Sequence, residues 1–299
     1  MALFLLILLG IDWASGYAIA GYCMTHGVNP YGYAFWQSFG PFVILLCIQT
    51  VRGELWLEKA GAVYALLCGV FGIVIPNLLI YFAAAHIPSG LLTVLANLSP
   101  IFTYPLALAF GDEKFSISRL LLILLGLIGV ALIVIPNTHS LTLDLGSALL
   151  YLALLIPFSY AFSAVYLSRF HPGRGSVLNY ALWMLMVSTL CVSPLTVIQQ
   201  GYYPLSLHDF NSGLILLEVF LSTLGYILLF VIIKMVGSVY YSLVNAIAAL
   251  TGVIYGYFIF KQQFSISTYT AIGIILLVII GMTYTQYRNK LVKSKRSQV

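Results

Sequence analysis

The chain alternates between long apolar stretches and short polar interruptions along almost its whole length. A stretch such as LLLILLGLIGVALIVI (residues 120–135) has no period-two alternation, which argues against membrane β-strands. Ten stretches have about the 20 residues that a helix needs to cross a bilayer. The pattern therefore predicts an all-α integral membrane protein with ten transmembrane helices, at residues 2–24, 31–50, 60–84, 88–110, 117–136, 146–168, 176–199, 211–234, 238–260 and 266–287.

Composition excludes several classes of function. Only 7% of the 299 residues are charged and the mean hydropathy is +1.04, whereas soluble domains carry about 25% charged residues. The short connections leave no room for a soluble domain. The sequence has no Walker loop and no GxSxG elbow, and its four cysteines lie inside apolar spans without metal-site spacing. We therefore expect no enzymatic activity, no cofactor and no metal.

The placement of Lys and Arg predicts the orientation. If the N-terminus is cytoplasmic, twelve of the thirteen basic residues lie on the cytoplasmic side and only Lys261 lies outside. Both termini are then cytoplasmic, including a basic tail at 288–299. This topology accounts for the net charge of +5, so no nucleic-acid partner is expected. The first span lacks a basic n-region and a cleavage site, and no organelle signal is evident. We expect a multi-pass protein of a bacterial inner membrane, as a monomer or homodimer.

A short repeat relates the two halves of the chain. The tetrapeptide Phe-Ser-Ile-Ser occurs at 115–118 and again at 264–267, and residues 71–118 align on 220–267 without a gap. This alignment places the polar break HIPSG (86–90) on MVGSV (235–239). Each half holds five spans, an odd number, so the second half is inserted upside down. The sequence predicts two inverted five-helix repeats, 1–140 and 141–299, an organisation typical of secondary transporters.

Several segments resemble EamA-type members of the drug/metabolite transporter superfamily. LGIDWASGYAIAGYCMTHGVNP (9–30) is similar to the first helix of that family. YFAAAHIPSGLLTVLANLSPIFTYPLALAFGDEKFSI (81–117) resembles its short helix break, its mid-helix proline and its closing Gly-acidic pair. LLILLGLIGVALIV (121–134) resembles its glycine-spaced fifth helix. FKQQ (260–263) departs from the Gly-Glu usual in the second repeat. The resemblance implies ten helices in two inverted repeats and transport of small polar metabolites.

Two acidic residues fall inside predicted spans, where an ionisable side chain is costly and usually functional. Glu218 shares a helical face with Ser222, Gly225 and Tyr226, and Asp12 shares one with Ser15 and Gly16. Each is a candidate for proton or cation coupling, and Glu218 also for substrate binding. The alternative for Glu218 is a neutral, hydrogen-bonded side chain, and for Asp12 a hydrogen bond between helices.

Neutral polar and aromatic residues complete the predicted site. The amides come from the third, fourth and ninth spans, and the last two of these spans are equivalent in the two repeats. Amides suit both ends of an amino acid, and aromatic rings can form apolar walls or cation–π faces. Packing between helices is the alternative for each residue singly. The predicted substrate-binding residues are Trp13, Asn77, Tyr81, Asn97, Tyr104, Glu218, Tyr226 and Asn245.

The function expected from these features is a secondary transporter of small polar metabolites. We expect amino acids, exported or exchanged by alternating access around a cavity near the membrane midplane. Two alternatives are open: a transporter of choline-like organic amines, with a membrane carboxylate and an aromatic cage, and a lipid flippase. The partners expected are a small-molecule substrate and the lipid bilayer.

Overall fold

A computed structural model describes residues 2–55, 59–111, 115–137, 151–170, 177–206, 208–241 and 243–296. Within these ranges the secondary structure is helical. The helices are α1 (Ala2–Thr25), α2 (Pro30–Val51), α3 (Lys59–Gly69), a π-helical turn (Val70–Val74), α4 (Ile75–Ala84), α5 (Ser89–Ala96), α6 (Ser99–Ala109), α7 (Ile117–Asn137), α8 (Leu155–Arg169), α9 (Val177–Ile198), α10 (Phe210–Tyr241), α11 (Leu243–Phe258) and α12 (Ile266–Arg296).

These helices form the ten predicted crossings. Six stretches of the described residues are long and apolar enough to span a membrane: Leu3–Thr25, Pro30–Val51, Gly61–Ala84, Ser89–Ala109, Leu178–Ile198 and Phe210–Leu229. Four shorter apolar helices accompany them: Ile117–Gly129, Tyr151–Leu167, Val244–Phe258 and Ile266–Met282. The prediction of an all-α membrane protein with ten helices is therefore confirmed. Residues 146–150 of the sixth predicted span lie outside the described residues.

Prolines explain two irregular crossings. In the third, the π-helical turn lies directly before Pro76, and the backbone N–H of Ile75 donates to Val70 O, five residues back. Pro76 has no N–H and its ring crowds the carbonyl four residues earlier, which disfavours a regular α-helical turn here. In the fourth crossing, α5 ends at Ala96 and α6 begins at Ser99, just before Pro100. Both irregularities lie beside polar side chains of the predicted site.

One predicted break is absent. The segment MVGSV (235–239), aligned by sequence with the HIPSG break, lies inside α10, which runs on to Tyr241. HIPSG contains Pro88, whereas MVGSV has no proline. Glycine and serine stay helical within a bilayer because the helix itself satisfies the backbone polar groups. The last helix is also longer than the predicted span 266–287, since α12 continues through the basic segment to Arg296. Residues 297–299 lie outside the described residues.

The two halves interlock across the molecule. Helix α1 packs against α10 and α11, while α2 packs against α9 and α10. In the inverted relation, α8 packs against α4 and α6, and α9 against α3. Helix α5 packs against α11, and α7 packs against α12. Helices α7 and α12 begin at Ile117 and Ile266, each within one copy of the repeated tetrapeptide. Contacts between the halves thus follow a pseudo-two-fold pattern, as expected for inverted repeats. The boundary between residues 140 and 141 stays a prediction.

The connections gather at two ends of the bundle. One end, called the Gln262 end, holds the connecting residues 26–29, 85–88, 199–206, 208–209 and 259–265. The Trp36 indole donates to Tyr203 O at 2.8 Å there, and Gln262 contacts Ser89. The opposite end, called the Arg119 end, holds residues 52–55 and 115–116. In the predicted orientation the Gln262 end faces outward.

Candidate functional site

A chain of hydrogen bonds links Glu218 to residues of three other helices. The Ser222 hydroxyl donates to Glu218 Oε1 at 2.9 Å, one turn along α10. Gln37 of α2 donates from Nε2 to Ser222 Oγ at 3.2 Å and accepts at Oε1 from Asn77 Nδ2 of α4 at 2.9 Å. The Tyr160 hydroxyl of α8 donates to Asn77 Oδ1 at 3.3 Å. The chain crosses between the two halves of the molecule twice.

Glu218 has an unused hydrogen-bonding capacity. Its side chain is 7% exposed, and its Oε2 has no hydrogen-bond partner among the described residues. The hydroxyls of four tyrosines lie within electrostatic range of the carboxylate: Tyr17, Tyr33, Tyr81 and Tyr226. The arrangement presents one free carboxylate oxygen in a setting of aromatic rings and hydroxyls. It can accept a proton or a hydrogen bond from a cationic group.

Asp12 and Glu218 lie in the same helix interface, each against a glycine of the opposite helix. A Cβ atom on Gly16 of α1 would lie 2.9 Å from Glu218 Oε1. A Cβ atom on Gly225 of α10 would lie 2.6 Å from Asp12 Oδ2. The residue numbers run in opposite directions in the two pairs, so α1 and α10 are antiparallel. The two glycines let the carboxylates enter the interface.

The carboxylates differ in depth. Glu218 follows the start of α10 by eight residues, which is about 12 Å along the helix axis from the Gln262 end. Asp12 lies about 15–20 Å from both ends of α1, near the middle of a hydrocarbon core about 30 Å thick. Asp12 is 6% exposed and its Oδ1 has no hydrogen-bond partner among the described residues.

An aromatic pair closes the site toward the Gln262 end. The rings of Tyr33 and Tyr81 meet edge to face with centroids 4.7 Å apart, and both side chains are buried. Beyond them, Gln262 donates from Nε2 to Ser89 Oγ at 3.2 Å and accepts from Gly90 N at 3.3 Å. Gly256 permits this contact, since a Cβ there would lie 2.5 Å from Gln262 Oε1. A cleft of about 170 Å³ is lined by residues that include His86, Ser89 and Gln262.

The structure brings several predicted residues together. Glu218, Asn77, Tyr81 and Tyr226 surround one region, and Asp12 lies deeper in the adjoining interface. Trp13 lies next to Asp12 in the same interface, since a Cβ atom on Gly225 would lie 2.8 Å from its indole Nε1. The Trp13 side chain also packs on an apolar cluster that includes Leu9 and Leu228.

Three predicted residues lie elsewhere. Asn97 directly follows α5 and donates from Nδ2 to Thr93 O at 2.8 Å. Asn245 is half-buried on α11, which packs between α1 and α5. Tyr104 accepts from Ser116 N at 2.6 Å, and the Arg119 guanidinium lies 4.8 Å from its ring centroid, at the Arg119 end. The structure does not bring these three to the Glu218 network.

Sequence reasoning missed two members of the network, Gln37 and Tyr160. Gln37 is an amide inside the predicted second span, and this polarity was the available signal. Tyr160 gave no signal that separated it from the other 20 tyrosines. Both occupy the face that their helix turns toward Asn77.

Comparison with known families identifies the chain. The model of the EamA-like transporter family matches residues 1–135 and again residues 147–284. The chain belongs to the EamA-like transporter family. The two matches correspond to the two interlocked halves of the bundle. No curated protein matches the sequence significantly.

Membership places this EamA-like transporter in the drug/metabolite transporter class, which embeds in a lipid bilayer and acts on small molecules. The Glu218 network joins side chains from the two halves of the bundle.

Proposed function

We propose that this EamA-like transporter carries small polar organic solutes that bind at the Glu218 network, by alternating access between the two sides of the membrane. The observation that carries the proposal is the hydrogen-bonded chain from Glu218 to Tyr160. Such a chain is costly to bury in a membrane and holds side chains from both halves. Rocking one half against the other would break and remake it, so solute binding and movement are coupled at this place.

Amino acids are the substrates expected first, because the amides of Gln37 and Asn77 offer donors for a carboxylate while Glu218 accepts an ammonium. A second candidate class is organic cations. The observation that favours cations is the presence of two buried carboxylates without a cationic neighbour among the described side chains. Asp12 and Glu218 also serve as the proposed sites of proton or cation coupling.

The remaining predicted residues keep proposed roles. Trp13, Tyr81 and Tyr226 form walls of the solute site. The substrate-binding role predicted for Asn97, Tyr104 and Asn245 stays a proposal. The chain is proposed to lie in a bacterial inner membrane with both termini cytoplasmic, which turns the Gln262 end outward.

Flux into proteoliposomes tests the proposal. The purified transporter is reconstituted and offered labelled neutral and basic amino acids and labelled quaternary amines. Glu218→Gln retains the shape of the side chain but removes its charge, and Glu54→Gln is the matched control, because Glu54 is exposed and pairs with Arg52 in a connection. We expect Glu218→Gln to lower flux at least about tenfold, since bonds to charged groups contribute about 1.5–3 kcal/mol.

The outcomes separate the candidates. Loss of cation flux with retained neutral amino-acid flux in Glu218→Gln favours organic cations. Loss of both favours amino acids that bind through their ammonium group. Absence of flux for every soluble solute rejects the proposal and leaves lipid movement. A pH gradient that changes neither rate nor direction of flux would exclude proton coupling.

A further inference from the structure

The α1–α10 interface contains two separate acceptors that face no described cation. Oδ1 of Asp12 and Oε2 of Glu218 are buried and have no hydrogen-bond partner within the described residues. Both side chains are more than nine-tenths buried. A charged acceptor in such a position needs a partner that brings positive charge or a proton. The interface has two such positions.

The distance between the two acceptors follows from the antiparallel packing. Glu218 lies level with Gly16, which is four residues from Asp12 along α1. Asp12 lies level with Gly225, which is seven residues from Glu218 along α10. At 1.5 Å per residue the two residue levels are separated by about 6–10 Å along the helix axes.

This spacing of residue levels favours two binding positions over one shared metal ion. Oxygen ligands lie about 2.0–2.6 Å from Mg²⁺ or Ca²⁺, so two ligands of one ion are at most about 5 Å apart. A monovalent ammonium would neutralise only one carboxylate. A neutral amino acid likewise carries one ammonium group and would leave the other carboxylate without a positive partner.

The surface between the carboxylates suits an aliphatic chain. Gly16 lies against the Glu218 carboxylate and Gly225 against the Asp12 carboxylate, and the small Ser222 side chain lies between Glu218 and Gly225 on this face of α10. The Trp13 indole borders this region at Gly225, and Tyr17 and Tyr226 border the Glu218 end. Aromatic rings accept methylene groups and also attract ammonium groups through their faces.

We infer that the solute is a linear aliphatic dication, an α,ω-diamine, with one ammonium on Glu218 Oε2 and the other on Asp12 Oδ1. This inference rests on the proposed function, whose site it refines. Diamines with about four to six carbons match a separation of about 6–10 Å. In the closed interface seen here, the glycine contacts hold the carboxylates, and binding requires α1 and α10 to separate.

Calorimetric titration of the purified protein at pH 7 tests this. The probes are 1,4-diaminobutane and 1-aminobutane, which have equal chain length and differ by one charge, followed by diamines of three to eight carbons. We expect the diamine to bind at least about tenfold more tightly, because it makes one further charged hydrogen bond. Affinity should be highest near four to six carbons.

Two substitutions locate the second ammonium. In Asp12→Asn the ratio of diamine to monoamine affinity should fall to about one, whereas in Glu54→Gln it should equal that of the wild type. Asp12→Glu keeps the charge on a longer side chain and should move the optimum to a shorter diamine. This second variant gives an answer even if Asp12→Asn does not fold.

Equal affinities for the diamine and the monoamine would overturn the inference. The proposed function would survive that result if the monoamine or an amino acid is transported. A diamine preference that persists in Asp12→Asn would also overturn it, since the second ammonium would then bind elsewhere. Absence of binding for all amines, with amino-acid flux retained, rejects the dication alone. Absence of any flux rejects the proposed function.

Discussion

The glycine contacts in the α1–α10 interface give the sharpest prediction. In Gly16→Ala the new methyl carbon would lie 2.9 Å from Glu218 Oε1, 3.3 Å from Oε2 and 3.4 Å from Cδ. A Cβ essentially never approaches another heavy atom within 3.0 Å, so the carboxylate must shift. Because these atoms are the far end of a flexible side chain, the carboxylate moves aside and the helices need not separate. The shift also weakens the bond from Ser222, and a bond to a charged group contributes about 1.5–3 kcal/mol.

We expect Gly16→Ala to lower the rate of uptake into proteoliposomes by about tenfold or more, since each 1.4 kcal/mol corresponds to a factor of ten. Gly273→Ala is the matched control, because a Cβ on that helical glycine meets nothing within 4 Å. Glu218→Asp shortens the acid by one methylene and should partly restore uptake in the Gly16→Ala background. Equal uptake by Gly16→Ala and Gly273→Ala, or independent effects in the double variant, would refute the reasoning.

Two further predictions concern the Gln262 end. Gln262→Ala removes two hydrogen bonds that contribute about 0.5–1.5 kcal/mol each, so hydrogen exchange at the Gly90 amide should accelerate. The control Gln263→Ala changes an exposed side chain and should leave this exchange rate unchanged. Equal Gly90 exchange rates in the two variants would contradict a role of Gln262 in holding this end together. Hydrogen bonds from Tyr203 and Ser212 hold the pKa of Asp209 below its usual 3.8. The folding stability that these bonds contribute is therefore present above pH 3.8 and is lost as the pH falls through the pKa of Asp209 in the folded protein. The protection of the Ser212 amide, taken relative to its intrinsic exchange rate at each pH, should therefore fall in acid in the wild type and depend less on pH in Asp209→Asn.

Much of the fold can be predicted from the sequence, because a membrane crossing is recognised from the length of an apolar stretch. The repeated tetrapeptide also predicts correctly that α7 and α12 begin at equivalent positions, Ile117 and Ile266. The break at MVGSV was predicted wrongly, because sequence alignment transfers a position but not the proline that interrupts the helix at HIPSG. Helix continuity there is a local property of residues 235–239.

The candidate site was readable only in part. The cost of burying charge singles out Asp12 and Glu218 without any knowledge of neighbours. The hydrogen-bond partners in the network could not be predicted in this way. The bond between Gln37 and Ser222, for example, joins residues 185 positions apart and depends on how α2 packs against α10. Tyr104 shares a helix side with polar residues, yet Arg119 and Ser116 engage it at the opposite end. Helical periodicity predicts a face but not the element that will cover it.

The short junction between α10 and α11 has a mechanical consequence. Helix α10 ends at Tyr241 and α11 begins at Leu243, so these two helix ends stay within a few ångströms of each other. Helix α1 packs against both helices. Glu218 lies about 35 Å along α10 from Tyr241, so a tilt of α10 by about 5° about that end would move Glu218 by about 3 Å. A tilt of α10 relative to α11 therefore produces its largest displacement at the Gln262 end.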